Sequence, residues 1–346
     1  MKYISFPGLG IESLGIDRVA FTVFGIDIMW YGIIITAGMI LAYLYGLTRA
    51  KIEKVKSDDI TDLTLFLIIF GVIGARLYYV LFKLEDFVVT DAGSTWNNVL
   101  ATLKEMVNIR EGGLAIYGGI IAGALTAVVF ARVKKIRIPV VFDILAPSVM
   151  VGQIVGRWGN FMNVEAYGSE TDLPWRMGVG FGGGAPYVHP TFLYESLWNL
   201  LGLILITVFY KKKKFHGQVF LFYAIWYGAG RAFVEGLRTD SLMLGSFRVS
   251  QLLSVVICLA GIVLMVIGMN RAPRVSYASA AADNADSVPV SPDEKADGEA
   301  EPICDDAENV PEQSADIDGT DADGTANESA GETANENGDA DTSEDE

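Results

Sequence analysis

One short stretch of the sequence concentrates residue types that could bind an anion. It reads GRWGNFMNVEAYG over residues 156–168 and places Arg157, Asn160, Glu165 and Gly168 directly after a long apolar run. A charge at the edge of a bilayer is costly unless it has a partner. A planar guanidinium offers paired N–H donors that match phosphate oxygens. We therefore expect Arg157 to bind a lipid phosphate; a snorkelling arginine beside ordinary helix caps is the alternative.

A second group of charges lies in the string RAFVEGLR, residues 231–238. Arg231, Glu235 and Arg238 are spaced i, i+4 and i+7, so one helical face would present all three together. In water this pattern is typical of a salt-bridge ladder. At a membrane surface, beside Arg157, it indicates an anion site.

Further polar side chains interrupt other apolar runs. Arg76 lies in GARLYY near the end of one run, Tyr117 lies in GGLAIYGG near the start of the next, and Glu195 closes HPTFLYE at the start of another. We count Arg76 among the candidate substrate-binding residues and expect Glu195 to point inward. Tyr117 would meet a lipid head group or join the aromatic belt of the membrane. We expect Asp143 to pair with another side chain in a structural role, because a buried carboxylate needs a partner.

A membrane domain is needed to position these residues. Hydrophobic residues make up 51% of the chain, and seven apolar runs are each near the ~20 residues that cross a bilayer. The sequence therefore predicts an all-α, polytopic integral membrane protein with about seven transmembrane helices in one domain, residues 28–270. The predicted spans are 28–48, 63–82, 112–131, 140–156, 190–210, 218–230 and 249–269.

The two ends of the chain differ from this domain. Residues 1–27 predict an amphipathic segment that lies at the membrane interface. Residues 275–346 carry 23 acidic residues against one lysine, so the remainder is mildly basic although the whole chain has a net charge of -16. With almost no large apolar residue, this end cannot offset its ordering entropy. We expect residues 271–346 to form a disordered acidic tail.

The cysteines are Cys258 and Cys304 alone. Two cysteines so placed predict neither a disulfide framework nor a metal site. We expect no metal, no organic cofactor and no nucleic-acid partner.

Charges in the loops predict the orientation. The segments after spans one, three, five and seven hold 14 Lys and Arg residues, and they share one side if the spans alternate. By the positive-inside rule this side is cytoplasmic, which puts the amino terminus outside and the acidic tail inside. The polar strings at 156–168, 189–195 and 231–238 would then converge on the outer leaflet. Loop 161–189, with its five glycines at 178–184, is expected to be pliant and to serve as a lid.

Taken together, these strings resemble the prolipoprotein diacylglyceryl transferase family of bacterial enzymes. The resemblance covers residues 20–270 and rests mainly on GRWGNFMNVEAYG, with support from Trp30-Tyr31-Gly32, GARLYY, GGLAIYGG, HPTFLYE and RAFVEGLR. It implies transfer of the diacylglyceryl group from phosphatidylglycerol to the thiol of the lipobox cysteine in prolipoprotein signal peptides, at the bacterial plasma membrane. A thioether forms and glycerol 1-phosphate leaves.

The resemblance also implies roles for single residues. Arg157 would bind the phosphate of phosphatidylglycerol, Arg231 would hold or activate the leaving group, and Tyr31 would lie near the head group. The remaining residues would frame the site; they are Asn160, Glu165, Gly168, Glu195, Glu235 and Arg238.

The sequence departs from the family at one position. Many members carry a histidine before the paired glycines of span three, where it has been favoured as the base, and this chain has Tyr117 there. Tyrosine is a poor base at neutral pH. We therefore expect Tyr117 to position the head group. The thiol would lose its proton chiefly because the arginines stabilise the thiolate.

Two other functional classes fit part of the sequence. A seven-span transporter or lipid flippase would also place arginines and glycines around a lipid head group. Transporters of this kind commonly have inverted repeats and paired broken helices, and the sequence has neither. A membrane scaffold whose acidic tail recruits partners would explain the tail, but it would leave the outer arginines without a role.

Overall fold

The computed structural model describes residues 2–88, 94–109, 112–180, 186–239, 243–245 and 247–271. The chain divides into two units, Met1–Ser291 and Pro292–Glu346, and every described residue belongs to the first. The predicted acidic tail from residue 272 onward lies outside the described residues, as do the glycines at 182–184 of the predicted lid.

Helices form most of the described chain. They are α1 (Trp30–Ile52), α2 (Ser57–Phe82), α3 (Thr95–Val107), α4 (Ile116–Val133), α5 (Ile138–Asn163), α6 (Thr191–Phe209), α7 (Gln218–Leu237) and α8 (Val249–Arg271). Six of them, all except α3 and α7, are long and apolar enough to cross a membrane. About 20 residues at 1.5 Å each cover the ~30 Å hydrocarbon core. The predicted class of helical membrane protein is confirmed.

Helix α7, which contains the predicted span 218–230, differs from these six in composition. Its 20 residues are enough to cross a bilayer, but Arg231 and Glu235 lower its mean hydropathy. It packs against α5, α6 and α8. Six helices therefore qualify as spans by length and composition, and α7 stays the predicted seventh.

The bundle is built around α5, which contacts α1, α4, α6 and α7. Small residues bring other helices close together: a Cβ atom on Gly118 of α4 would overlap the carbonyl oxygen of Gly74 in α2. Side chains on the outer surface are apolar. Ile69, Ile73 and Leu77 follow one face of α2 and are each more than half exposed. Such a surface fits contact with a lipid bilayer.

Helix α3 was not foreseen by the sequence analysis. It lies in the connection between α2 and α4, and Ser94 caps its first turn by accepting the backbone N–H of Asn97. Trp96, Leu103 and Val107 are exposed apolar side chains of this helix. Its 13 residues are too few to cross a bilayer.

Short strands form three small antiparallel sheets. The strands are β1 (Lys2–Phe6), β2 (Ile11–Ile16), β3 (Val19–Val23), β4 (Ile26–Met29), β5 (Met177–Val179), β6 (Tyr187–Val188), β7 (Met243–Leu244) and β8 (Phe247–Arg248). The largest sheet has the order β2-β1-β5-β6, while β3-β4 and β7-β8 are separate pairs. In its register Ile4 lies opposite Leu14 on one side and opposite Val179 on the other.

The four-stranded sheet packs on the ends of α5 and α6. Ile4, Met177 and Phe192 share one buried apolar cluster, and the rings of Phe6 and Phe161 have centroids 6.4 Å apart. Residues 177–179 and 187–188 of the predicted pliant loop are therefore held in a sheet. The location of residues 1–27 at the membrane interface stays a prediction.

A cluster of buried charges joins the helices at the opposite end of the bundle. Lys213 Nζ lies 2.7 Å from Glu53 Oε1 and 3.0 Å from Asp143 Oδ2, and all three side chains are at most 3% exposed. Asp143 also accepts the backbone N–H groups of Gly217 and Phe220. The predicted pairing of Asp143 is confirmed. It connects α1, α5 and the α6–α7 connection.

A more exposed cluster lies at the same end. Lys134, directly after α4, contacts Asp59 at 2.7 Å and Asp62 at 3.1 Å, both on α2. Hydrogen bonds to these two carboxylates raise the pKa of the Lys134 ammonium. These ion pairs join α2 to α4.

Candidate active site

Three helices bring two arginines to one carboxylate. Arg157 lies near the end of α5, Glu195 near the start of α6, and Arg231 on α7. Arg157 Nη2 is 2.7 Å from Glu195 Oε2, while Arg231 Nη1 is 3.1 Å from Oε1 and 3.2 Å from Oε2. The predicted convergence of Arg157 and Arg231 is confirmed, and so is the inward direction of Glu195.

Glu235 and Arg238 complete what we call the arginine cluster: Arg157, Glu195, Arg231, Glu235 and Arg238. Arg231 Nη2 is 2.6 Å from Glu235 Oε2 one turn along α7, and Arg238 Nη1 is 3.9 Å from Glu195 Oε1. The prediction that one helical face presents all three α7 charges is wrong for Arg238. Because α7 ends at Leu237, Arg238 is extended, and its backbone pairs with that of Gly168.

The carboxylates of the cluster are buried more deeply than its guanidinium groups. Glu195 and Glu235 are 5% and 2% exposed, against 18%, 16% and 13% for Arg157, Arg231 and Arg238. Charges removed from water need partners of opposite charge. Glu195 pairs with Arg157 and Arg231, and Glu235 pairs with Arg231. The arginines form the accessible surface of the cluster, which suits it to an anion such as phosphate.

The end of α5 and the following loop support Arg157. Arg157 Nη1 donates to Asn160 Oδ1 at 3.3 Å, and the amides of Asn160 and Asn163 both donate to Glu165 Oε1 at 2.9 and 3.2 Å. Helix α5 ends at Asn163 because Val164 adopts a left-handed conformation with φ of 52°. Glu165 is exposed, so these hydrogen bonds connect Arg157 of the cluster to a carboxylate at the protein surface.

Two glycines allow close packing beside the cluster. A Cβ atom on Gly168 would lie 2.7 Å from Cβ of His189 and 3.1 Å from the carbonyl oxygen of Leu237, and one on Gly159 would lie 3.0 Å from Cδ2 of Tyr31. Gly168 therefore lets the loop after α5 lie against the end of α7. The Tyr31 ring packs on α5 two residues beyond Arg157, and its nearness to the head group stays a prediction.

Tyr117 is connected to the cluster through α8. Its hydroxyl lies 3.1 Å from Oγ of Ser250 at the start of α8. Close to this point, Arg248 Nη1 donates to the carbonyl oxygen of Glu235 at 2.7 Å. Within the described residues, Tyr117 makes no hydrogen bond to an arginine of the cluster.

Arg76 donates its hydrogen bonds to backbone carbonyls. Its Nε donates to Met106 at 2.8 Å, Nη2 to Glu105 at 2.8 Å, and Nη1 to Gly112 and Gly113 at 2.9 and 3.0 Å. These acceptors lie at the end of α3 and in the turn before α4. Arg76 therefore joins α2 to the end of α3 and to the start of α4. Its contact with substrate stays a prediction.

Replacing Arg76 tests this connecting role. Arg76→Lys is expected to lower stability by about 1–3 kcal/mol, because an ammonium cannot reproduce the guanidinium fork and leaves carbonyl groups unsatisfied. The apparent Tm of the purified protein in detergent is the measurement. A variant with the Tm of the wild type would contradict the role.

Trp198 and Trp226 fix the position of Glu195 relative to α7. Neither residue was among the predicted site residues. Trp198 Nε1 donates to the carbonyl oxygen of Trp226, Trp226 Nε1 donates to that of Trp198, both at 2.9 Å, and the rings stack with centroids 4.4 Å apart. Gly230 makes room for this pair, since a Cβ atom there would overlap Trp198 Nε1. The spacing of Trp198 three residues after Glu195 was the available signal.

Asn199 is a second residue that the sequence analysis missed. It is 2% exposed and lines a small space together with Glu195 and Arg231. It lies one helical turn after Glu195, so the i, i+4 spacing could have identified it. In the part of the chain that the structure describes, no group of three or more His, Cys, Asp or Glu side chains could hold a metal ion.

Comparison with known proteins shows the family of this chain. Residues 18–267 match the family described as prolipoprotein diacylglyceryl transferase. The chain is 47% identical over 251 residues to the phosphatidylglycerol--prolipoprotein diacylglyceryl transferase of Finegoldia magna, which covers 72% of this chain and 95% of the relative. Proteins with the same name from Clostridioides difficile and Listeria innocua are 43% and 42% identical over 247 and 268 residues. These matches cover 71% and 75% of this chain, and 93% and 91% of the relatives. The chain therefore belongs to the prolipoprotein diacylglyceryl transferase family.

Proposed function

We propose that this protein transfers the diacylglyceryl group of phosphatidylglycerol to the cysteine thiol in the lipobox of a prolipoprotein signal peptide. The proposal rests on family membership and on one observation in particular: Glu195 holds Arg157 and Arg231 together at one end of a membrane bundle. Two paired guanidinium groups at that place suit a phospholipid phosphate.

In the proposed reaction the cysteine sulfur attacks the carbon of the diacylated glycerol that is bonded to the phosphate oxygen. A C–S bond forms, the C–O bond to the phosphate breaks, and the electron pair leaves on the phosphate oxygen of glycerol 1-phosphate. Arg157 binds the phosphate, and Arg231 neutralises the charge that develops on the leaving group. Neither step requires a metal or an organic cofactor.

The reaction also needs the substrate cysteine as a thiolate, and in this proposal the arginines stabilise that thiolate. A cationic surrounding lowers the pKa of a cysteine thiol, so the same groups that bind phosphate favour loss of the thiol proton to solvent. Tyr117 and Tyr31 position the head group, while Asn160, Glu165 and Gly168 frame the site from the α5 side.

We further propose that the protein lies in the bacterial plasma membrane with its amino terminus outside and its acidic tail in the cytoplasm. Lys134 and Lys213 lie at one end of the bundle, and the arginine cluster lies at the other. By the positive-inside rule the lysine end is cytoplasmic. Glu12→Cys, in a variant in which Cys258 and Cys304 are replaced by serine, is labelled from outside in intact cells to test the orientation; labelling only after lysis would contradict it.

A direct assay tests the activity. Membranes that contain the protein are incubated with labelled phosphatidylglycerol and a lipobox peptide, and the peptide is analysed for thioether-linked lipid. We expect modification of the cysteine peptide and none of a matched serine peptide. Deletion of residues 275–346 is expected to leave the activity intact. Movement of labelled lipid across the membrane without thioether formation would favour a flippase instead.

Glu195 is expected to act as a positioning residue. Glu195→Gln removes the charge that holds Arg157 and Arg231 and should lower kcat by about 10–100-fold, since hydrogen bonds to charged groups contribute about 1.5–3 kcal/mol. The KM for phosphatidylglycerol should stay unchanged or fall, because the arginines keep their positive charge. A raised KM with kcat unchanged would contradict this role.

Tyr117 is expected to contribute less. Tyr117→Phe removes the hydrogen bond to Ser250 and should reduce activity by about two- to tenfold, as for one neutral hydrogen bond. Activity equal to that of the wild type would argue against the positioning role. A loss of several orders of magnitude would instead reopen Tyr117 as the base.

A further inference from the structure

A cleft lies between α6, α7 and α8 at the end of the bundle opposite the arginine cluster. Its volume is about 350 Å³, within the range of small-molecule sites. The side chains around it are mostly apolar and none of the described residues that line it is acidic. They include Leu205, Phe209, Lys212, Val219, Phe222 and Met265.

The apolar lining extends well into the membrane. Leu205 lies seven residues before Lys212, which is about 10 Å along the helix axis. Met265 of α8 lies six residues before the end of that helix at Arg271. The cleft therefore has a polar mouth at the level of Lys212 and an apolar interior.

The mouth of the cleft carries surplus positive charge. Lys212 lines the cleft and is exposed, whereas Lys213, which also lines it, is buried and paired with Glu53 and Asp143. Lys212 lies above the ring of Phe209, with its Nζ 5.2 Å from the ring centroid. This contact holds one ammonium group over the entrance of the apolar interior.

From this geometry we infer that the cleft binds an anionic phospholipid of the adjoining leaflet, with one acyl chain inside and the phosphate at Lys212. An acyl chain matches the apolar lining, and a phosphate matches the lysines. Basic pockets between transmembrane helices bind anionic head groups in this way. The site is separate from the arginine cluster. A bound lipid braces α6 and α7, which carry Glu195 and Arg231.

Native mass spectrometry of the full-length protein in detergent tests the site. The probe is dioleoyl phosphatidic acid, with dioleoyl phosphatidylcholine as the uncharged counterpart. Measured in the Arg157→Ala background, in which the arginine cluster no longer competes for the phosphate, Lys212→Gln should weaken retention of phosphatidic acid about fivefold, and Leu205→Trp, which fills the cleft, should abolish it. Lys211→Gln and Ile204→Trp are matched controls, because neither residue lines the cleft, and they should change retention less.

The arginine cluster supplies the remaining control. Arg157→Ala should retain the lipid in the cleft, since the two sites lie at opposite ends of the bundle. Three results would overturn the inference: equal retention of phosphatidylcholine, undiminished retention by Leu205→Trp, or loss of the lipid in Arg157→Ala alone. A photo-crosslinking residue at position 205 that labels residues 272–346 rather than lipid would make the acidic tail the occupant.

Discussion

Arg157→Ala is expected to reduce diacylglyceryl transfer by about a thousandfold or more. Its guanidinium contacts both Glu195 and Asn160, so its loss removes a preorganised donor for the phosphate and releases Glu195. Loss of one such donor in a water-poor site costs about 10²–10³ in rate, and the disturbed partner adds to this. Thioether formation in membranes, followed with labelled phosphatidylglycerol, is the measurement.

Charge alone should not rescue this loss. Arg157→Lys keeps the positive charge, but one ammonium group cannot contact Glu195, Asn160 and a phosphate in the geometry of a planar fork. We expect it to stay at least about tenfold below the wild type. Arg176→Ala is the matched control, because Arg176 lies at the same end and contacts the carbonyl oxygen of Asp172 and the ring of Tyr187. Near-normal activity of Arg157→Ala with a normal Tm would refute the phosphate site.

The sequence located the members of the arginine cluster because charges stand out in apolar helices. Arg157, Glu195 and Arg231 each interrupt or end an apolar run, and a charge in that position indicates a site. The sequence did not show that Glu195 is the shared partner of two arginines. That contact depends on how far α5, α6 and α7 are rotated about their axes. Packing such as the Trp198–Trp226 pair sets this rotation, and local spacing does not.

Arg76 illustrates a second limit of the sequence. A charge pattern shows which side chains could pair, but the acceptors of Arg76 are backbone carbonyls at the end of α3 and before α4. Backbone groups are the same for every residue type, so composition contains no signal for them. An arginine at position 76 is compatible both with the predicted contact with substrate and with the carbonyl contacts in the structure.

The amino-terminal strands were missed for a different reason. β1 obtains its place in the sheet from β5, through the pair Ile4 and Val179. Local periodicity in residues 2–6 is compatible with an amphipathic segment of any kind. The distant partner, which lies in the loop between α5 and α6, determines that a sheet forms and that it packs on the helix ends next to Arg157.

The second large effect is expected at the other end of the bundle. Lys213→Met should lower stability by about 3–5 kcal/mol, because it removes the ammonium group that pairs with the buried carboxylates of Glu53 and Asp143. Glu53 directly follows α1 and Asp143 lies on α5, so their repulsion acts on the helix that carries Arg157. The apparent Tm in detergent and the yield of folded protein are the measurements. Lys211→Met is the matched control, because Lys211 is exposed.

A triple variant separates the loss of a partner from the loss of the lysine side chain. In Glu53→Gln/Asp143→Asn/Lys213→Met no charge of the cluster remains, and replacing a whole buried ion cluster by neutral groups is often close to neutral. We expect it to recover much of the stability that Lys213→Met loses. The asparagine introduced at position 143 would still accept N–H groups through its amide oxygen, as Asp143 does from Gly217 and Phe220. If the triple variant were less stable than Lys213→Met alone, the ion pairs that Lys213 makes, rather than the carboxylate charges that remain when Lys213 is lost, would determine the stability of this end.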